Sequence, residues 1–197
     1  MTRPLYDLAG RAMLTVLTLG FSLSALAAQF TVGQLMAALA NNEHGAATFT
    51  ETKYLSILDQ PIESSGELLF VPPGRLEKRT LRPKVETLVL DGDVLTVERQ
   101  TQRHVLQLRD YPEVAGMIES IRATLAGDRK ALERVYHLSL EGTRERWTLV
   151  LTPLDERVGR VITRIRMEGA RDEVRVIEIL QADGDRSVMT VQKGPSR

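Results

Sequence analysis

The chain has 197 residues, 43% hydrophobic and 26% charged, with 26 basic and 26 acidic side chains that cancel to a formal charge of zero. That balance provides no electrostatic footprint for nucleic acid, which favours a basic surface. The absence of cysteine rules out a disulfide framework and leaves no thiol for an N-terminal lipid anchor.

At the start, Arg3 and Arg11 precede an apolar run from Ala12 to Ala27 that ends in Ala25-Leu26-Ala27. A charged leader, an apolar stretch and a small-x-small site predict a signal peptide over residues 1–27, cut after Ala27 or, as second choice, after Ala28. A retained anchor is the weaker reading, because the run is shorter than the roughly 20 apolar residues that span a bilayer and contains Thr, Ser and Gly. Export from a Gram-negative cell would place the product in the periplasm. There a single domain over residues 28–197, about 170 residues, is long enough to fold on core burial alone.

Phe30 to Asn42 carries Val32, Leu35, Met36 and Leu39 at helical spacing and predicts one amphipathic helix. Ala46 to Leu58 follows as a strand, with Phe49, Glu51 and Lys53 on one face and four Thr and Tyr side chains on the other. Five short extended pieces come next: Gly66–Val71, Leu76–Leu81, Val85–Leu90, Val94–Arg99 and His104–Arg109. The signals PPG, RPK, DGD and QTQ separate them, as in an antiparallel meander. A helix is predicted from Tyr111 to Asp128, with Pro112 near its start and Gly127 as its C-cap, and a shorter one over Asp128–Arg134. Five more strands complete the chain: Val135–Leu140, Arg146–Thr152, Val161–Glu168, Glu173–Gln181 and Ser187–Gln192. With ten to eleven strands and no βαβ alternation, the expected class is α+β, mainly β: one curved antiparallel sheet with helices packed on it.

No catalytic or metal-binding motif emerges. His44, His104 and His137 lie far apart, and HExxH, GxSxG and phosphate-loop patterns are absent. The pairs Asp91/Asp93 and Asp183/Asp185 each flank a glycine between strand-like runs, which turn chemistry explains. No cofactor is implied, and a hydrolase has no nucleophile constellation to support it. Along several strands apolar residues keep one parity: Leu106 and Leu108 against Gln107 and Arg109, and Trp147, Leu149 and Leu151 against Arg146 and Thr148. One sheet face is therefore apolar, either as a core sealed by the helices or as a pocket between sheet and helices.

The stretch Phe49 to Val97 resembles the N-terminal half of the LolA-type periplasmic lipoprotein carriers. The matching features are Phe49, Glu51 and Lys53, then Ser65, Gly66, Glu67 and Leu68, then Pro73, and finally Asp91 and Gly92. The resemblance implies a half-barrel of about eleven strands lidded by helices, whose apolar cavity holds the acyl chains of a lipoprotein. It further implies passive transfer, since acyl chains moved between apolar sites avoid the cost of exposure to water, about 0.8 kcal/mol per CH₂. The implied partners are an inner-membrane exporter and an outer-membrane acceptor, with the carrier itself a monomer.

On this resemblance the cavity candidates are Phe49, Leu68, Phe70, Leu106, Leu108, Met117, Ile121, Trp147, Leu149 and Leu151. The lid and turn candidates are Pro72, Pro73 and Arg75. The family's K-R-P tripeptide, whose arginine is implied to hold the lid closed, is matched here by Val71-Pro72-Pro73, with Arg75 just beyond. That departure implies a divergent carrier whose cargo is a lipoprotein, a glycolipid or a fatty acyl ester, and whose exporter is of the ABC or the MMPL/RND type. The alternative is a non-enzymatic periplasmic module that caps a protein partner, as in anti-sigma regulators with related half-barrels.

Overall fold

The computed structural model describes residues 30–41 and 45–194; the segment read as a signal peptide, and His44, lie outside the described residues. Eleven strands form one open antiparallel sheet: β1 (Gly45–Tyr54), β2 (Ile62–Val71), β3 (Arg75–Arg82), β4 (Glu86–Asp91), β5 (Val94–Arg99), β6 (Gln102–Gln107), β7 (Tyr136–Thr143), β8 (Arg146–Pro153), β9 (Ile162–Ala170), β10 (Glu173–Gln181) and β11 (Arg186–Lys193). Their order is β6-β5-β4-β3-β2-β1-β11-β10-β9-β8-β7. Every neighbour is consecutive in sequence except β1 and β11, which pair near the middle of the sheet. The two free edges, β6 and β7, are joined through the helical segment, whose helices pack on the β7–β9 side. This is the antiparallel sheet with packed helices that the strand pattern predicts, in the form of the lidded half-barrel that the resemblance implies.

Local chemistry sets these elements. Helix α1 (Val32–Leu39) opens with a capping box in which the Thr31 side chain accepts from the Gln34 amide and the Gln34 side chain accepts from the Thr31 amide. Helix α2 (Pro112–Leu125) has Pro at its first position, where the missing N–H costs nothing. It ends in a Schellman motif: Gly127, at φ +67°, donates to the Thr124 carbonyl, and Asp128 donates to that of Ala123 at 2.8 Å. A Cβ on Gly127 would lie 2.2 Å from the Met36 carbonyl, so the same glycine lets α2 close on α1. Asp128 then caps α3 (Arg129–Val135) by accepting from the Ala131 amide. The turn readings of Asp91-Gly92-Asp93 and Asp183-Gly184-Asp185 hold: Gly92 and Gly184 have positive φ, and the Asp185 amide donates to the Asp183 carboxylate.

Several boundaries differ from expectation: the strand read over Ala46 to Leu58 ends at Tyr54, and the one read from Gly66 begins at Ile62. The strand expected over His104–Arg109 stops at Gln107, and Leu108–Asp110 form a 3₁₀ turn whose first amide donates to the Asp93 carbonyl. Tyr111, which precedes a proline, adopts φ −135°, ψ 69°, so the ladder cannot run into α2 unbroken. Leu108 is therefore buried by the turn and not by strand alternation with Leu106. The connection between β8 and β9, which lies outside the strands read from the sequence, contains a single helical turn, α4 (Glu156–Gly159), capped by Asp155. Its Val158 packs on Gly116 of α2 so closely that a methyl at Gly116 would sit 2.8 Å from it.

The main core lies between helices and the β7–β11 half of the sheet. Leu35, Met36 and Leu39 of α1 and Leu132 of α3 pack with Trp147, Leu149 and Leu151 of β8 and Ile165 and Met167 of β9. Trp147 lies against Gly169, where a Cβ would come within 2.2 Å of its ring, and donates from Nε1 to the Arg171 carbonyl at 3.1 Å. Among the described residues no buried side-chain polar atom lacks a partner.

Candidate functional site: the concave face of the half-barrel

Directly opposed residues in antiparallel strands share a face, so the pairings trace the concave surface. One row runs Leu140, Leu149, Met167, Ile177, Met189, Glu51 and Ser64 from β7 to β2. A neighbouring row on the same face runs Leu68, Lys78, Leu88, Val97 and His104 from β2 to β6. The two halves of this face are used differently. On β8 and β9 its apolar side chains are buried in the main cluster under the helices. On β2–β6 Leu68, Leu76, Leu88, Leu95, Val97 and Leu106 are only half-buried, and Phe49, Phe70, Leu90 and Leu108, though buried, stand outside that cluster.

Between the halves sits a polar network. Glu51 of β1, 6% exposed, accepts from Lys78 Nζ at 2.5 Å and from Ser187 at 2.6 Å, with Ser64 at 3.4 Å. Lys53 lies 3.7 Å away. Burial pushes the Glu51 carboxyl up, but the charge and hydrogen bond of Lys78 and the hydroxyl of Ser187 together hold it below the usual carboxylate range. The Lys78 ammonium also stands 4.8 Å from the centre of the Phe49 ring. The Phe49 ring in turn lies against Gly66, where a Cβ would come 3.0 Å from Phe49 Cε1 and 1.9 Å from the Arg79 carbonyl oxygen. Gly66 is thus the place where strand β3 and the Phe49 ring both approach the β2 backbone.

At one end of the sheet the β2–β3 and β4–β5 turns face α2 across a cleft of about 530 Å³. Val71, Pro72, Pro73, Gly74 and Arg75 line it on the sheet side, and Glu119, Arg122, Ala123 and Ala126 on the helix side. Arg75 pairs with Asp91 at 3.3 Å and with Glu77 at 3.7 Å, both on the sheet. The cation that crosses from the helix is Arg122, oriented by Glu119 at 2.8 Å and close enough to Gly74 that a methyl there would lie 3.3 Å from its Nη1.

The residues picked from the sequence fall into three places. Pro72, Pro73 and Arg75 meet α2 in the cleft. Phe49, Leu68, Phe70 and Leu106 share the concave face of β1–β6, and Leu108 is buried in the turn that follows β6. Trp147, Leu149 and Leu151 lie in the main core, with Met117 and Ile121 of α2 packed against it. Sequence reasoning missed Lys78, Ser64 and Ser187 as partners of Glu51. The signal was present in part, since Glu51 shares a face with Phe49, a position where an acid needs an internal counter-charge. Among the described residues no group of three or more His, Cys, Asp or Glu side chains is placed to hold a metal ion.

An open half-barrel with helices packed on its β7–β9 side and a partly uncovered apolar concave face defines the class of lidded β-sheet binding folds. Within that class the chain belongs to the family described as outer membrane lipoprotein carrier protein LolA-like, whose model matches residues 24–195. No curated protein matches the chain. Among solved structures it is similar to a LolA superfamily protein from Nitrosomonas europaea, at 12% identity over 83% of this chain and 92% of that one, with a TM-score of 0.44. It is also similar to a chain of the Pseudomonas aeruginosa MucA/MucB complex, at 14% identity over 84% of this chain and 58% of that one, TM-score 0.44. A third is LprF from Mycobacterium bovis, at 10% identity over 84% and 94% of the two chains, TM-score 0.36.

Proposed function

We propose that this protein is a non-enzymatic periplasmic carrier. It holds the acyl chains of a lipoprotein or another lipid against the concave face of β1–β6 and moves that cargo from the inner towards the outer membrane. The observation that supports this reading is the unequal use of one apolar face: the same parity that is sealed on β8 and β9 is left half-buried on β2–β6, where Leu88 and Val97 lie side by side and Leu68 stands across Lys78 from them. A surface of that kind takes up hydrocarbon at little cost in reorganisation, because the helices are already committed to the other half. The cleft between α2 and the Pro72-Pro73-Gly74 turn is where the lid would part from the sheet, with Arg122 as the contact to be broken. An exporter in the inner membrane and an acceptor in the outer membrane complete the scheme.

Native mass spectrometry of the purified protein, with and without added acyl lipid, tests the proposal. An acylated species should co-purify or bind, and Leu88→Ser should weaken uptake of a fluorescent fatty acid while the protein stays folded. Leu149→Asp, in contrast, should unfold the chain, because it buries an unpaired charge in the sealed half. Failure of every acyl lipid to bind, or uptake by folded Leu88→Ser equal to that of the unmodified protein, would overturn the carrier reading. A pull-down that recovers a membrane-bound regulator and no lipid would replace it with a partner-capping module.

A further inference from the structure

Among the described residues, eight of the eleven large hydrophobic side chains that stand exposed gather at one end of the sheet. The pairings place the β1–β2 loop, the β3–β4 turn, the β8–β9 connection and the β10–β11 turn at that end, opposite the Pro72–Gly74 turn. The β1–β2 loop contributes Tyr54, Ile57, Leu58 and Ile62, the β3–β4 turn Val85 with Leu81 beside it, and the β8–β9 connection Leu154 and Val161.

Ile57 is 87% exposed at the loop apex. The loop is held in place: Leu58 donates to the Leu55 carbonyl at 2.9 Å, and the Ser56 amide to the Asp185 carboxylate at 2.7 Å. Eight exposed apolar side chains gathered at one end, around an aliphatic apex held in place by hydrogen bonds, point to an external apolar phase. Behind the tip, Tyr54 carries the guanidinium of Arg186 5.4 Å from its ring centre. An aromatic with a polar end, next to a long cationic side chain, is the pairing that settles at the boundary between headgroups and acyl chains.

Two further features select the occupant. The apolar tips come from separate loops with polar residues between them, so they do not form the continuous, shape-matched patch of a protein interface but can each enter a fluid. The charges around them nearly cancel. Lys53 pairs with Glu51, Arg99 with Glu86, Arg157 with Asp155 and Arg186 with Glu178. Arg82, Lys84, Arg160 and Arg164 stand with Asp59, Glu63, Glu156, Asp183 and Asp185, an excess of one acid. A rim without basic excess has no field to draw it to an anionic surface.

We propose that this rim docks on a zwitterionic phospholipid bilayer, with Ile57 and Leu58 entering the acyl region and Tyr54 and Arg186 lying among the headgroups. The site is separate from the concave face and does not depend on what that face holds. Because the chain has no cysteine, Ile57→Cys introduces a single thiol for an environment-sensitive fluorophore.

The test is flotation of the protein with phosphatidylcholine vesicles, together with emission of the labelled Ile57→Cys protein. The protein should float with the vesicles and the label should shift to shorter wavelength, with little change on adding salt or phosphatidylglycerol. The double variant Ile57→Ser/Leu58→Ser should lose roughly tenfold or more in vesicle affinity, while Leu88→Ser, on the concave face, should float as the unmodified protein does. The proposal is overturned by absence of flotation, by flotation that requires phosphatidylglycerol, by a double variant that floats normally, or by a label that shifts only when a second copy of the chain associates.

Discussion

Replacing Lys78 by Met removes the counter-charge from Glu51 while keeping the volume of the side chain. In the native chain Glu51 is 6% exposed and Lys78 22%, so the pair is shielded by protein on the Glu51 side and partly wetted on the other. Breaking a buried pair by removing one partner costs about 3–5 kcal/mol, and the residual hydration of Lys78 puts this case near the low end, about 3 kcal/mol at neutral pH. With a urea m-value of about 2 kcal/mol per M, the denaturation midpoint should fall by about 1.5 M. The pH dependence supplies a second reading. Because the folded Glu51 carboxyl lies below its unfolded value, its contribution to stability is present above about pH 4.3 and is lost as the pH falls through the folded value. In Lys78→Met burial dominates and raises the folded value above the unfolded one. The variant therefore gains stability on acidification, and the gap between the two proteins narrows. The double variant Lys78→Met/Glu51→Gln should recover most of the loss. A single variant less than about 1 kcal/mol weaker than the native chain, or a gap that does not change with pH, would show that the network is not a buried charge pair.

Gly66→Ala should be poorly tolerated although it lies mid-strand and involves one methyl group, because that methyl would meet the Arg79 carbonyl oxygen at 1.9 Å and Phe49 Cε1 at 3.0 Å. A cost of about 2 kcal/mol corresponds to a fall in Tm of about 6 °C in a thermal scan. Tyr136→Phe removes a hydroxyl that donates to the Gly116 carbonyl at 3.0 Å, and should cost about 1 kcal/mol in urea unfolding. Burial pushes the Tyr136 phenol up to about 12, so an alkaline ultraviolet titration should show one tyrosine ionising there and lose it in the variant.

The strand meander was legible because its turns carry local chemistry. Asp91-Gly92-Asp93, Asp183-Gly184-Asp185 and Gly127 each announce a backbone conformation within a few residues. The end of β6 was not legible, because Leu106 and Leu108 keep strand parity while the Leu108 amide is claimed by Asp93 on another hairpin. α4 is a single turn, too short for a hydrophobic period. The parity of Trp147, Leu149 and Leu151 marked the apolar face of β8, which is buried. Which half of the sheet's apolar face is covered depends on where α1 and α3 dock, and their apolar stripes carry no address. Glu51 marks the same limit: its face could be read from Phe49, but Lys78 and Ser187 become its partners only when β3 and β11 are brought beside β1 and β2.

The pairing of β1 with β11 bears on the order in which the chain can be assembled. Ser187 and Glu51 meet although they are 136 residues apart, and Phe49 sits opposite Val191. All other ladders of the sheet close between successive strands, so each can form as soon as its second strand exists. During synthesis the first and tenth strands therefore wait with unpaired edges until the eleventh arrives, and the carboxylate of Glu51 waits for part of its solvation. Such late, long-range closure makes for slow folding and prolonged exposure to edge-to-edge aggregation. A chain shortened by its final strand would keep most of its hairpins and lose the seam that makes them one sheet.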